Sequence, residues 1–151
     1  MHVVLFQPEI PPNTGNVARL CAAMQVSLHL IEPLGFKLED RYLKRAGLDY
    51  WPHVDMAVWP DLDADSRNAG AGRRLVLTSA RRGAALHRFE FTENDSLVFG
   101  RETSGLPPEV IGLSPHHVRI PIKGEVRSIN LSTAAGIVLF QALVSAGLVG
   151  E

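Results

Sequence analysis

Short apolar runs rich in branched side chains alternate along this chain with segments of helical period, and no other feature narrows the fold so far. The runs His2 to Gln7, Ser27 to Glu32, Val54 to Trp59, Arg74 to Ser79, Ser96 to Gly100 and Val118 to Ile122 read as strands. Gly15 to Gln25, Glu39 to Gly47, Asp61 to Gly70, a short turn near Pro107 to Leu113 and a last segment from about Asn130 read as helices. Strands that alternate with helices pair in parallel, because each crossover carries a helix over a sheet face. The expected class is therefore α/β: a mainly parallel sheet flanked by helices. With 151 residues and no repeat, low-complexity tract or linker, a single domain spans residues 1–151. A domain of this length buries roughly 70% of the surface its unfolded chain exposes, and 46% hydrophobic against 21% charged residues supplies a core without staples. Wholesale disorder is excluded. The lone cysteine, Cys21, excludes zinc fingers and secreted disulfide scaffolds and fits a reducing, cytoplasmic setting. Met1 to Glu9 lacks the basic, apolar and small-residue succession of a signal peptide.

Ser128 to Gly150 contains no charged residue, a length at which a membrane span is the first alternative. Ser132, Thr133, Gln141 and Ser145 recur within it, Ala and Gly dilute its hydrophobicity and no basic anchor follows, so no membrane is expected. A helix apolar nearly all round must still be covered. One face can pack on the sheet and another on a second copy, which predicts a homodimer through this C-terminal helix. Charge is uneven too: residues 1–65 carry 5 basic and 9 acidic side chains, residues 66–127 carry 10 and 6. Arg73, Arg74, Arg81, Arg82 and Arg88, with Arg101, Arg119, Lys123 and Arg127, would meet phosphates if the fold gathers them on one face. On composition alone, solvated surface arginines are the stronger reading.

Ligands of open α/β sheets bind beyond the carboxyl ends of the strands, which directs attention to three loops. Pro8 to Arg19 is a proline-stiffened stretch feeding a helix whose first turn carries Asn16 and Arg19 on one face. Helix N-termini attract anions and Arg19 would add a charged contact; taken alone, the stretch is equally a capped helix with a surface arginine. Gly100 to Pro108 follows a strand with two glycines five apart, but Leu106-Pro107 stands where a phosphate-binding P-loop needs Lys and Ser or Thr. Glu102 is what a plain turn leaves unexplained there. Ile120 to Ser132 enters the last helix with Ser128, Asn130 and Ser132 as possible caps and leaves Arg127 unassigned. His116 and His117 lack partners at metal-ligand spacing, no nucleophile elbow or triad can be assembled, and Asp61, Asp63 and Asp65 read as a helix start favoured by its dipole rather than a calcium loop.

Taken together, P-x-I-P-x-N-T-G-N-x-x-R (8–19), F-G-x-E-x-x-G-L-P (99–107) and I-P-x…R-S-x-N-L-S (120–132) resemble the SPOUT class of RNA ribose methyltransferases. Within that class the chain is most similar to the short tRNA (cytidine/uridine) 2′-O-methyltransferases that act on the anticodon wobble nucleotide, essentially from His2 to the final helix. The resemblance implies a SPOUT fold with a C-terminal deep trefoil knot, which general topology rules would not suggest. It implies S-adenosylmethionine as cofactor, S-adenosylhomocysteine as product, and contacts at Leu77, Thr78, Gly100, Glu102, Gly105, Ile120, Ser128, Leu131 and Ser132. Arg19 is the implied catalytic residue, assisted by Asn16 and Ser128. The family's proposal makes that arginine a base; its usual pKa suits it better to orienting the ribose and stabilising developing alkoxide charge. The partner is then the anticodon stem-loop of tRNA, methylated at cytidine or uridine 34, with Arg41, Lys44 and Arg45 as further RNA contacts, and no metal is implied. Arg101 and Ser104 fill variable positions, and Phe140 stands where some relatives carry tyrosine. The alternatives are a ribosomal RNA ribose methyltransferase of the same class and a non-catalytic dimeric RNA-binding module.

Overall fold

The structure, a computed structural model, describes residues 1–68 and 72–151. Seven strands, β1 (His2–Phe6), β2 (Ser27–Ile31), β3 (Met56–Trp59), β4 (Arg74–Thr78), β5 (Ala84–Ala85), β6 (Asp95–Phe99) and β7 (His117–Arg119), form one sheet in the order β3-β2-β1-β6-β4-β7-β5. Every neighbouring pair runs parallel, as the alternation predicts. Among the described residues the helices are α1 (Pro11–Met24), α2 (Arg41–Gly47), α3 (Leu62–Asn68), α4 (Pro108–Ile111) and α5 (Leu131–Ser145), with short 3-10 turns at Leu48–His53 and Leu86–Arg88.

Side chains alternate across each strand, so the sheet builds two cores. Val3, Leu5, Leu28, Leu30, Val76, Leu97 and Phe99 meet Val17, Ala18 and Cys21 of α1 and Ala135, Val138, Leu139 and Ala142 of α5. On the other face, Val4, Phe6, Ile31, Leu77 and Val98 meet Leu62 of α3 and Val110 of α4. Strands buried on both faces need near-continuous apolar runs, which is why β1 and β6 are buried at every position. Asp95 is the charged exception. Its carboxylate accepts Arg74 Nε at 2.7 Å and Nη2 at 2.8 Å, and Thr92 N at 2.8 Å. Although burial works to raise its pKa, these bonds hold it below the ordinary carboxylate range.

Several boundaries differ from those expected. α1 begins at Pro11, four residues before Gly15, so Asn16 and Arg19 lie beyond its first turn. Prolines at the first two helical positions have no N–H to leave unpaired, and the amides of Asn13 and Thr14 close on Ile10 O. α2 starts at Arg41 because Asp40 Oδ1 accepts the amides of Tyr42 and Leu43, at 2.8 and 3.3 Å. β7 stops at Arg119, ahead of Pro121, which cannot donate to a ladder. β5, two residues of alanine, gives no periodic signal. The expected helix from Asp61 is found at Leu62–Asn68, and its expected end at Gly70 lies outside the described residues. No described helix is long and apolar enough to cross a membrane.

Candidate active site

Three loops leave the carboxyl ends of β4, β6 and β7 and, with the first turns of α5, enclose a cavity of about 860 Å³. That volume suits a nucleoside-sized ligand. Thr78, Gly100, Glu102, Gly105, Ile120, Ser128 and Leu131 all line it. Leu77 and Ser132 do not: Leu77 is fully buried in the sheet, and the Ser132 hydroxyl donates to Asn130 Oδ1 at 2.6 Å. The walls combine apolar Leu131 and Val138 with loop backbone and a rim of arginines, Arg81, Arg82, Arg101 and Arg127.

The glycines in these loops are positional. A Cβ at Gly100 would run into the backbone of Gly105 and Leu106, and Gly105 itself sits at φ +68°. Paired bonds between Arg101 and Gly105, at 3.2 and 2.8 Å, pinch the loop shut. Only glycine fits such a closed turn. Thr78 contributes backbone rather than hydroxyl, because its Oγ1 donates to Val98 O at 2.9 Å.

Glu102 lines the cavity, yet its carboxylate is committed elsewhere. Oε1 accepts Glu9 N at 3.1 Å and Oε2 accepts Ile10 N at 2.5 Å. Ile10 is the N-cap of α1 and has no side-chain cap of its own, so Glu102 supplies the anion that the helix start attracts. Glu9 reciprocates: Thr103 N and Oγ1 donate to its Oε1 at 3.0 and 2.8 Å. Those Thr103 bonds, with Arg101 nearby, hold the Glu9 carboxyl below its usual pKa. Gln7, at φ +48°, completes the turn out of β1, and its Oε1 accepts Arg101 Nε at 2.8 Å. The loop after β6 thereby fixes where α1 begins.

Arg19 and Asn16 lie on α1, exposed and outside this cavity. The Arg19 guanidinium rests 5.1 Å from the centroid of the exposed Tyr50 ring, a cation–π contact that the sequence did not disclose. The residue of α1 that reaches the cavity is Asn13, whose Oδ1 accepts Asn130 Nδ2 at 3.0 Å. Asn130 is the cap of α5: its Oδ1 accepts Ser132 N and Thr133 N at 2.9 and 3.3 Å. Of the three possible caps, therefore, Asn130 is used. Alongside lies a second hollow of about 440 Å³, lined by Arg81, Arg119 and Arg127 with Glu125 and Val126. Arg81, Arg119 and Arg127 of the expected basic cluster are thus gathered here, while Arg73 and Arg74 are bound to Ser96 and Asp95 of β6. Cys21 takes no part: burial pushes its thiol up to about 12, leaving no thiolate near neutral pH.

The chain is similar to known proteins in both sequence and fold. The family model described as SpoU rRNA Methylase family matches residues 1–140. The tRNA (cytidine(34)-2′-O)-methyltransferase of Methylovorus glucosotrophus is 48% identical over 142 residues, covering 93% of this chain and 92% of that one. A solved structure reported for the 2-OH methylation of C/U34 on tRNA superposes with a TM-score of 0.92 at 48% identity, over 95% of this chain and 94% of the other. The SpoU methyltransferase AviRb from Streptomyces viridochromogenes, solved with AdoMet, superposes with a TM-score of 0.84 at 25% identity, over 95% of this chain and 58% of the other.

Proposed function

The chain belongs to the SpoU rRNA Methylase family, and on that premise we propose that it is a tRNA 2′-O-methyltransferase, methylating the ribose of cytidine or uridine 34 in the anticodon loop. S-adenosylmethionine is the methyl donor and S-adenosylhomocysteine the product. The observation that carries this reading is the convergence of Thr78, Gly100, Gly105, Ile120, Ser128 and Leu131 on one cavity rimmed by arginines. Open loop amides suit the edge of an adenine, and Leu131 and Val138 suit its faces. When bound, S-adenosylmethionine supplies a methyl group on a sulfonium whose departure as a neutral thioether asks for no metal.

The protein's task is then to place a ribose hydroxyl in line with that methyl and stabilise the negative charge that develops on its oxygen. Arg19 takes this role, holding the ribose and its phosphate with help from Asn16 and Ser128. Because Arg19 and Asn16 are exposed and do not line the cavity of their own chain, the site is completed by a second copy. α5 supports such a homodimer: Ile137, Phe140 and Val144 form an exposed apolar stripe, the face opposite the one packed on the sheet. Arg81, Arg119 and Arg127 hold RNA phosphates beside the site, with Arg41, Lys44 and Arg45 further along. The reading includes the deep trefoil knot in the C-terminal segment and action in the cytoplasm, where tRNA is. Incubating the protein with total RNA and a methyl-labelled donor tests it. Label is expected in tRNA at nucleotide 34; label in ribosomal RNA alone would favour the ribosomal alternative, and none at all the non-catalytic one.

A further inference from the structure

The three aspartates at the start of α3 do different things. Asp61 Oδ1 accepts Ala64 N at 2.7 Å, and Asp63 pairs with Arg67 in water at 3.5 Å, both as a helix start requires. Asp65 turns inward instead, its side chain 1% exposed. There it meets two histidines from the sheet. The parallel register sets His29 beside Val4, and His2 lies two residues from Val4, so both rings project from the face that α3 covers. Their centroids are 4.3 Å apart. Asp65 Oδ1 is hydrogen-bonded to His29 Nδ1. Asp65 Oδ2 lies 4.0 Å from His2 Nε2 and has no hydrogen-bond partner. One ligand atom from each of the three residues lies within 4.8 Å of the other two.

A buried carboxylate oxygen without a donor is costly, and the nearest ring nitrogen of His2 stands 4.0 Å away, too far to serve it. From this convergence we propose that His2, His29 and Asp65 bind a divalent cation of the zinc class. Two imidazoles and a carboxylate are a donor set that zinc and its neighbours accept, with an open fourth position for water. Bonds of about 2.0–2.2 Å place tetrahedral ligand atoms roughly 3.3 Å apart, so a trio that lies within 4.8 Å has to contract by up to about 1.5 Å. Ser96 Oγ, 3.3 Å from His2 Nε2, accepts Arg73 Nε at 2.5 Å. That guanidinium, on the far side of Ser96, offsets part of the carboxylate charge and makes the affinity lower than that of a closed cysteine site. His2 opens β1, whereas the methyl-donor cavity lies beyond the carboxyl ends of the strands, so the cation serves to fasten α3 to the sheet and takes no part in methyl transfer.

The test is titration of zinc chloride into the full chain, stripped beforehand with a chelator, followed by calorimetry and thermal unfolding. One zinc per chain is expected, with a rise in Tm and, for cobalt in place of zinc, the visible bands of a four-coordinate ion. Asp65→Asn and His2→Gln each weaken uptake by more than the roughly 10- to 100-fold typical of losing an outer-shell partner, and abolish the Tm rise. His2→Gln leaves the His29–Asp65 bond in place and decides the matter if Asp65→Asn fails to fold. Absence of uptake by the folded wild type overturns the proposal. So does uptake unchanged in His2→Gln, which would point to other histidines such as His116 and His117.

Discussion

The carboxylate of Glu102 holds two backbone amides at the start of α1, so a change there acts on the helix that carries Arg19. Glu102→Gln removes the charge and leaves an amide that can satisfy at most part of the pair. Charge-assisted hydrogen bonds contribute about 1.5–3 kcal/mol, so turnover should fall roughly 10- to 100-fold in a methylation assay at saturating methyl donor. Arg19→Ala is sharper: methylation of transcribed tRNA is lost while S-adenosylmethionine binding, measured by calorimetry, is retained. Unchanged turnover would remove Arg19 from the mechanism. At this scale the sequence was partly legible. The glycines could be placed by motif because their role in a closed turn is local, whereas the cap of α5 was narrowed only to Ser128, Asn130 or Ser132. The commitment of Glu102 to the amides of Glu9 and Ile10, the Arg19–Tyr50 contact and the inward turn of Asp65 join residues far apart in the chain, and no local pattern announces them.

The helices show what their ends and faces are for. α5 depends on Asn130, which caps the helix and also ties it to Asn13 of α1. Asn130→Ala should cost about 1–2 kcal/mol of stability, read from the denaturant midpoint at unchanged slope. The apolar stripe of α5 makes a separate prediction. Phe140, 51% exposed, becomes a buried charge in a dimer if changed to aspartate, so Phe140→Asp should sediment as a monomer and lose methylation together. A dimer that persists would place the interface elsewhere. Ser145 shows why an apolar helix keeps a hydroxyl: its Oγ accepts Phe91 N at 2.9 Å. The existence of α1 and α5 followed from periodicity, but the start of α1 did not, because Pro11 and Pro12 read as a stiff loop until their place at the first helical turn is known.

Across the whole molecule, the strand and helix alternation was enough to predict a parallel α/β sheet, but not its order. β6 sits between β1 and β4, and β7 between β4 and β5, insertions that depend on crossovers rather than on any strand's own residues. The Arg74–Asp95 pair locks one of those insertions and gives stability a pH dependence. Since the folded pKa of Asp95 is depressed below an unfolded value of about 3.9, its stabilisation is fully present above that value. It is lost as pH falls through the folded pKa. Acid unfolding followed by circular dichroism should therefore shift to higher pH in Arg74→Gln, and a curve unmoved by that change would contradict the assignment. If three distant loops make one methyl-donor cavity, calorimetry of S-adenosylhomocysteine with the wild type and Gly100→Val will show it. The wild type should bind one molecule per chain and the folded variant none, because a side chain at Gly100 fills the pinch between Gly105 and Leu106. No heat from the wild type, or equal binding by both, would contradict it.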